Sequence, residues 1–210
     1  NIIIFNSSEF EFASVGPEWQ NPIYKNQNEA ILRIVRDMLV YSDYHFYVRL
    51  HPNLSTADPI NYKQLIKFKY SNLTIIMPDS AIDSYHLLDN AFKVISFGST
   101  MGIEATYWNK ISIMAGHSFY ESFDVVYRPE THKELLEMLL DDKLVPKNKF
   151  GTYVYGYFYS TSGIPYIKYK PSAFNDGLYN GVKLNGNINQ GNKVNYWLSK
   201  YLSLIHISEP

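Results

Sequence analysis

The sequence predicts an α/β fold, a parallel sheet with helices on both faces. Three observations carry this. Short continuous apolar runs such as "NIIIF" (1–5), "KVISFG" (93–98) and "ISIMAG" (111–116) read as strands buried on both faces. Other stretches place apolar residues at helical spacing, clearest in 26–42, where Ile31, Ile34, Val35, Met38 and Leu39 share one stripe. Strand and helix patterns then alternate along most of the first two thirds of the chain, as βα units do.

In chain order, strand 1–5 runs into a polar loop holding Gly16, Pro17 and Pro22, followed by the helix at 26–42. "HFYVRLHP" (45–52) is the next strand, stopped by Pro52. A weaker helix around 60–70 leads to strand 73–78, and a short helix follows at 84–91. Strand 93–98, helix 99–108 and strand 111–116 come next. "VVYRP" (125–129) is expected as a last strand, and 131–142 as a helix with Thr131 at its N-cap. Beyond Phe150 the composition turns rich in Tyr and Gly. Residues 174–192 read as a Gly/Asn-rich loop and 193–202 as a final helix. The expected organisation is a nucleotide-binding domain over 1–145, a Tyr/Gly-rich extension over 146–202, and a non-native tail over 203–210. That tail, "SLIHISEP", resembles translated read-through of a sequencing adapter. With no initiator Met before the first strand, the chain is expected to be a fragment lacking an N-terminal half.

Composition narrows the function classes. The 210 residues are 46% hydrophobic, and the formal net charge of -1 argues against nucleic acid as a partner. With no cysteine there is neither a disulfide framework nor a thiolate metal site. No apolar run approaches the roughly 20 residues of a membrane span, and no signal peptide is visible. A cytoplasmic protein is expected, at most peripheral at the inner face of the cell membrane. No His/Asp/Glu cluster has metal-ligand spacing and no nucleophile elbow is present, so neither a metal nor a cofactor is expected.

In parallel α/β sheets ligands bind outside the carboxyl ends of the strands, so the strand exits carry the functional candidates. In "FGSTMGIEA" (97–105), Ser99 and Thr100 stand where strand 93–98 meets a helix, with backbone N–H groups suited to an anion. Glu104 lies about one turn further on and can accept from sugar hydroxyls. That Ser99 only caps the helix and Glu104 only offsets its dipole stays open. In "VRLHPN" (48–53), Arg49 and His51 share a strand face and offer donors to an anion, or His51 is an ordinary strand-end histidine. Pro78, Asp83, Ser84 and Tyr85 lie where a planar base or a sugar can be met, with an N-cap as the equal alternative for Asp83 and Ser84. Ser7, Ser8, Glu9 and Glu11 follow the first strand. Gly116 and Tyr120 can border a sugar pocket, while His117 alone is a weak signal.

Taken together, 6–19, 48–53, 83–120 and 125–129 resemble one family: bacterial capsule and surface-polysaccharide biosynthesis proteins with a glycosyltransferase B-type fold. The resemblance implies a Rossmann-like C-terminal half of a two-domain glycosyltransferase. Its partners would be a nucleotide-sugar donor, a saccharide or lipid-linked acceptor, and the missing N-terminal domain. His51 and Pro52 resemble the His-Pro motif of sialyl- and Kdo-transferases, which makes His51 the catalytic candidate at the donor phosphate. Ser99 and Thr100 resemble the hydroxyl motif of those enzymes, and Ser8 and Arg49 join the phosphate set. Pro78, Asp83, Ser84, Tyr85 and Glu104 fall at the base or sugar. The pair of motifs suggests a cytidine monophosphate sugar as donor. The acidic motif that supplies a general base in such enzymes has no clear counterpart. Sugar-nucleotide 2-epimerases and teichoic-acid-type glycerophosphotransferases share these strand-exit patterns, and a non-catalytic capsule-assembly module is a further alternative.

Overall fold

The computed structural model describes residues 1–9, 15–163, 167–173 and 176–184. Glu11, the helix expected at 193–202 and the tail 203–210 lie outside them. The chain divides into two compact units, Asn1–Ser160 and Thr161–Pro210.

The first unit is built on a five-stranded parallel sheet in the order β3-β2-β1-β4-β5. Its strands are β1 (Ile2–Phe5), β2 (Phe46–Arg49), β3 (Leu73–Ile76), β4 (Lys93–Ser96) and β5 (Ile111–Met114). The helices are α1 (Gln27–Asp37), α2 (Leu54–Ala57), α3 (Pro59–Leu65), α4 (Ser84–Asp89), α5 (Met101–Tyr107), α6 (His132–Leu140) and α7 (Phe150–Thr161). Alternation along β1 sorts its side chains between two cores. Ile2 and Ile4 join Ile31, Ile34 and Val35 of α1 and Leu135 and Leu139 of α6. Ile3 and Phe5 join Leu87 and Leu88 of α4 and Ala105 of α5. Helices therefore cover both faces, which is why the central strands are apolar throughout.

The caps follow the sequence. Asn26 accepts from the Glu29 N–H at 2.8 Å and Thr131 from the Glu134 N–H at 3.1 Å. The helix expected over 60–70 is instead two short ones. Asp58 ends α2 and caps the next, accepting from the Asn61 N–H at 3.3 Å, while Pro59 opens α3. "VVYRP" does not form a strand. It makes a single parallel bridge between Ile113 and Tyr127, because Asp124 turns the chain with a left-handed φ of 51° and Pro129 has no N–H to extend the ladder. The Tyr/Gly-rich stretch contributes α7, whose Tyr155 packs on Tyr120 and Phe123.

In the second unit, residues 176–184 of the stretch read as a loop form strands instead, and the rest of that stretch lies outside the described residues. The described residues of this unit form an antiparallel sheet of β6 (Tyr169–Ala173), β7 (Asp176–Tyr179) and β8 (Val182–Leu184). Asn180 and Gly181, with φ of 51° and 80°, make the two-residue turn with positive φ at both central positions that matches strand twist. Among the described residues no helix is long and apolar enough to cross a membrane.

One buried charge ties the first unit together. Lys93 opens β4 with no exposed surface, and its ammonium donates to the carbonyls of Met138, Leu139 and Asp141 at 2.8–2.9 Å. These carbonyls at the end of α6 have no intrahelical partner and carry the negative end of its dipole. Burial pulls the Lys93 pKa down, opposed by Asp142 and Asp141. Lys93→Met leaves the Met138 and Leu139 carbonyls without their donor, while Asp141 keeps the Leu144 N–H, and urea unfolding is expected to show a loss of about 3 kcal/mol.

Candidate functional site

The parallel register brings three strand exits to one level. Phe5 of β1 pairs with Arg49 on one side and with Ser96 on the other, so Asn6, Leu50 and Phe97 leave the same edge together. At about 4.8 Å per strand, the β2 and β4 exits stand roughly 10 Å apart with β1 between them. Chain connections run from β1 outward to β2 and β3, then return to β4 on its other side. The β1/β4 boundary is therefore the topological switch point where such sheets bind ligands.

Each exit is fixed by its neighbour. The His51 N–H donates to Asn6 Oδ1 at 2.8 Å, joining the β2 exit to β1. The Ser7 N–H donates to Gln27 Oε1 at 2.9 Å, joining β1 to the start of α1. Gly98 takes a φ of 109°, which other residues avoid, as the chain leaves β4. The Tyr120 hydroxyl donates to the Ser99 carbonyl at 2.5 Å. Tyr120 is 1% exposed, and burial pushes its pKa up to about 12 despite the adjoining Ser96 and Ser118 hydroxyls, so it stays a donor.

The exits present specific groups. Ser8 is fully buried at the β1 exit, and its hydroxyl has no partner among the described residues. Asn72 Oδ1 and the Ser96 and Ser118 hydroxyls share that state among the described residues. His51 is half-buried, and its Nδ1 accepts from the Asn53 N–H at 3.2 Å. The proton of the neutral ring is thereby held on Nε2, which makes His51 a donor. Ser99 is half-buried, with its Oγ accepting from the Met101 N–H at 3.3 Å; Thr100 is exposed and makes no side-chain cap. The Arg49 guanidinium donates to the Met77 and Ser80 carbonyls, so it holds the β3 exit loop, where Pro78 lies.

The other candidates gather separately. Asp83 Oδ2 accepts from the N–H groups of Tyr85 and His86 at 3.1 and 3.0 Å, which makes it the N-cap of α4, with Ser84 the first residue of that helix. The Tyr85 hydroxyl donates to Glu104 Oε2 at 2.7 Å, and that bond raises the Tyr85 pKa. Glu104 and Thr100 line a hollow of about 330 Å³ walled by Tyr107, Tyr155 and Tyr159. The structure thus joins Tyr85 to Glu104 and sets them on α4 and α5.

A cleft of about 330 Å³ lies beside the switch point, lined by Glu9, Trp19, Phe97, Gly116 and His117 among others. Asn21 fixes its wall, donating to the Ala115 carbonyl at 2.6 Å and accepting from the Tyr24 N–H at 2.8 Å. Glu9 accepts from the Gln27 N–H, yet burial, with a smaller contribution from Asp58, raises its pKa. Of the Trp19–Asn21 wall, Trp19 closes the 6–19 stretch of the resemblance, while Gln20 and Asn21 carried no readable signal in the sequence. Among the described residues no group of three or more His, Asp or Glu is placed to hold a metal.

No family model and no curated protein matches the chain. A solved structure of Thermosulfurimonas dismutans KpsC, a beta Kdo 2,7 transferase, is similar to it at 18% identity with a TM-score of 0.40, covering 76% of this chain and 54% of that one. The chain therefore spans about half the length of that protein.

Two predictions follow from this geometry. A Cβ at Gly102 would meet Ser96 Oγ and the Tyr120 hydroxyl at 2.4 Å. Gly102→Ala is expected to lower stability by about 1–3 kcal/mol from overpacking, outweighing about 1 kcal/mol of helix propensity, as read by urea unfolding. Glu9 is harder to ionise folded than unfolded, so its contribution is fully present below its unfolded value and is lost as pH rises through the folded one. Glu9→Gln is expected to raise the melting temperature near neutral pH and to leave it unchanged at about pH 3, where the Glu9 carboxyl is neutral both folded and unfolded.

Proposed function

We propose that this chain is the nucleotide-sugar-binding half of a glycosyltransferase that builds a capsule or other surface polysaccharide, with a cytidine monophosphate sugar as its donor. The observation that carries this is the convergence of the β1, β2 and β4 exits on one edge, whose following segments hold Ser8, a donor histidine and the Ser99–Thr100 turn. The motif resemblance of "VRLHPN" and "FGSTMGIEA" points the same way.

In this reading the donor phosphate lies over the β1 exit. Ser8, Ser99 and Thr100 donate hydroxyl hydrogens to its oxygens, and His51 donates from Nε2. An acceptor hydroxyl attacks the anomeric carbon, the bond from that carbon to the phosphate oxygen breaks, and negative charge builds on the departing phosphate. Donors held at that oxygen stabilise the charge, once the buried Ser8 hydroxyl has turned toward it. The bonds from Asn6 and Tyr120 hold the His51 and Ser99 backbone in place. The acceptor, saccharide or lipid-linked, and the base that takes its proton belong to a facing N-terminal domain, with the protein working in the cytoplasm at the inner face of the cell membrane.

Calorimetric titration with cytidine 5′-monophosphate tests this reading. Wild type is expected to bind, and His51→Ala and Ser99→Ala are each expected to weaken binding about tenfold, the effect of losing one charge-assisted hydrogen bond. Unchanged affinity in both variants, with native circular dichroism, would overturn it.

A further inference from the structure

The cleft beside the switch point contains a second oriented histidine. His117 Nδ1 lies 3.1 Å from Glu121 Oε2. The same carboxylate oxygen accepts from the Ser118 N–H at 3.3 Å and lies 3.6 Å from the Arg128 guanidinium. An ionised carboxylate only accepts, so this contact holds the ring proton on Nδ1 and leaves Nε2 as an acceptor. That is the opposite tautomer to His51, whose Nδ1 accepts from a backbone N–H. No described residue hydrogen-bonds His117 Nε2, although the ring lines the cleft. Trp19 packs edge-on against it at 6.1 Å and fixes its plane.

The cleft therefore offers two acceptors, His117 Nε2 and the Glu9 carboxylate, beside the aromatic surfaces of Trp19 and Phe97. Lys25 at the same wall disfavours a cation. Such a lining suits a neutral ligand carrying hydroxyls, which can donate to these acceptors and accept from Lys25 and Gln20. Gly116 lets the β5 exit approach the β4 exit: a Cβ there would meet the Phe97 carbonyl at 3.1 Å.

We propose that His117, oriented by Glu121, is a ligand-binding residue that accepts a hydrogen bond at Nε2 from a hydroxyl of a polyhydroxylated ring, either a ribose or a saccharide. The assignment rests on the nucleotide-sugar reading for its choice between those two sources. Glu121 is the positioning residue.

Long-range proton–nitrogen NMR of the histidine-labelled full chain tests this, with His117→Gln and His51→Gln supplying the assignments. Above the ordinary imidazole range, His117 is expected in the Nδ1–H form and His51 in the Nε2–H form. Glu121→Leu is expected to return His117 to the Nε2–H form that free imidazole prefers. Finding His117 in the Nε2–H form in wild type overturns the proposal, whatever the variant does. Cytidine 5′-monophosphate and methyl β-galactoside are then titrated separately while the His117 Nε2 resonance is followed. A shift with the nucleotide assigns the hydroxyl to ribose, and a shift with the glycoside assigns it to a saccharide. Silence with both overturns the proposal. If the glycoside moves His117 while the nucleotide leaves His51 unmoved, the phosphate reading fails and this assignment stands.

Discussion

The position of Phe5, paired with Arg49 on one side and with Ser96 on the other, is the constraint from which the candidate site follows. Three parallel strands in that register must end at one level. The segments after them then have no choice but to share an edge, with the β1 exit in the middle. Apolar burial maintains the register: Ile2 and Ile4 lie in one core and Ile3 and Phe5 in the other, so a one-residue slip would exchange the two sets. At the opposite end of β4, Lys93 anchors the strand to the close of α6 and resists such a slip.

Level strand ends alone do not make a binding site, because loops that drift lose the aim that electrostatic stabilisation requires. Here the loops are stitched by single hydrogen bonds between neighbours, Asn6 to the His51 backbone and Tyr120 to the Ser99 carbonyl. The two histidines are tuned by what their Nδ1 atoms meet. A backbone N–H makes one a donor, and a carboxylate makes the other an acceptor. A donor suits an anionic oxygen and an acceptor suits a hydroxyl, so the two histidines offer opposite hydrogen-bonding chemistry.

The parts of this architecture that sequence could show are those with local signatures. Runs such as "NIIIF" announce buried strands, and Asn26, Asp83 and Thr131 announce helix starts by their chemistry. Helix α7 was hidden because its tyrosines and phenylalanines surround it rather than forming one stripe, so no period emerges. The hairpin at Asn180–Gly181 was hidden by composition: Asn and Gly read as loop, although that dipeptide between apolar residues is the stronger signal. Lys93 sits in an apolar run where a charge has no local explanation, since its three partners come from residues far along the chain. His117 looked weak alone, yet Glu121 four residues on was the clue to its orientation.

The central claim is that one phosphate is gripped over the β1 exit by groups from three strands. A crystal structure of the chain with cytidine 5′-monophosphate tests it most directly. The account predicts phosphate oxygens within hydrogen-bond distance of Ser8 Oγ, His51 Nε2 and the Ser99 hydroxyl at once. A phosphate bound elsewhere, or touching the residues of only one strand exit, would contradict it.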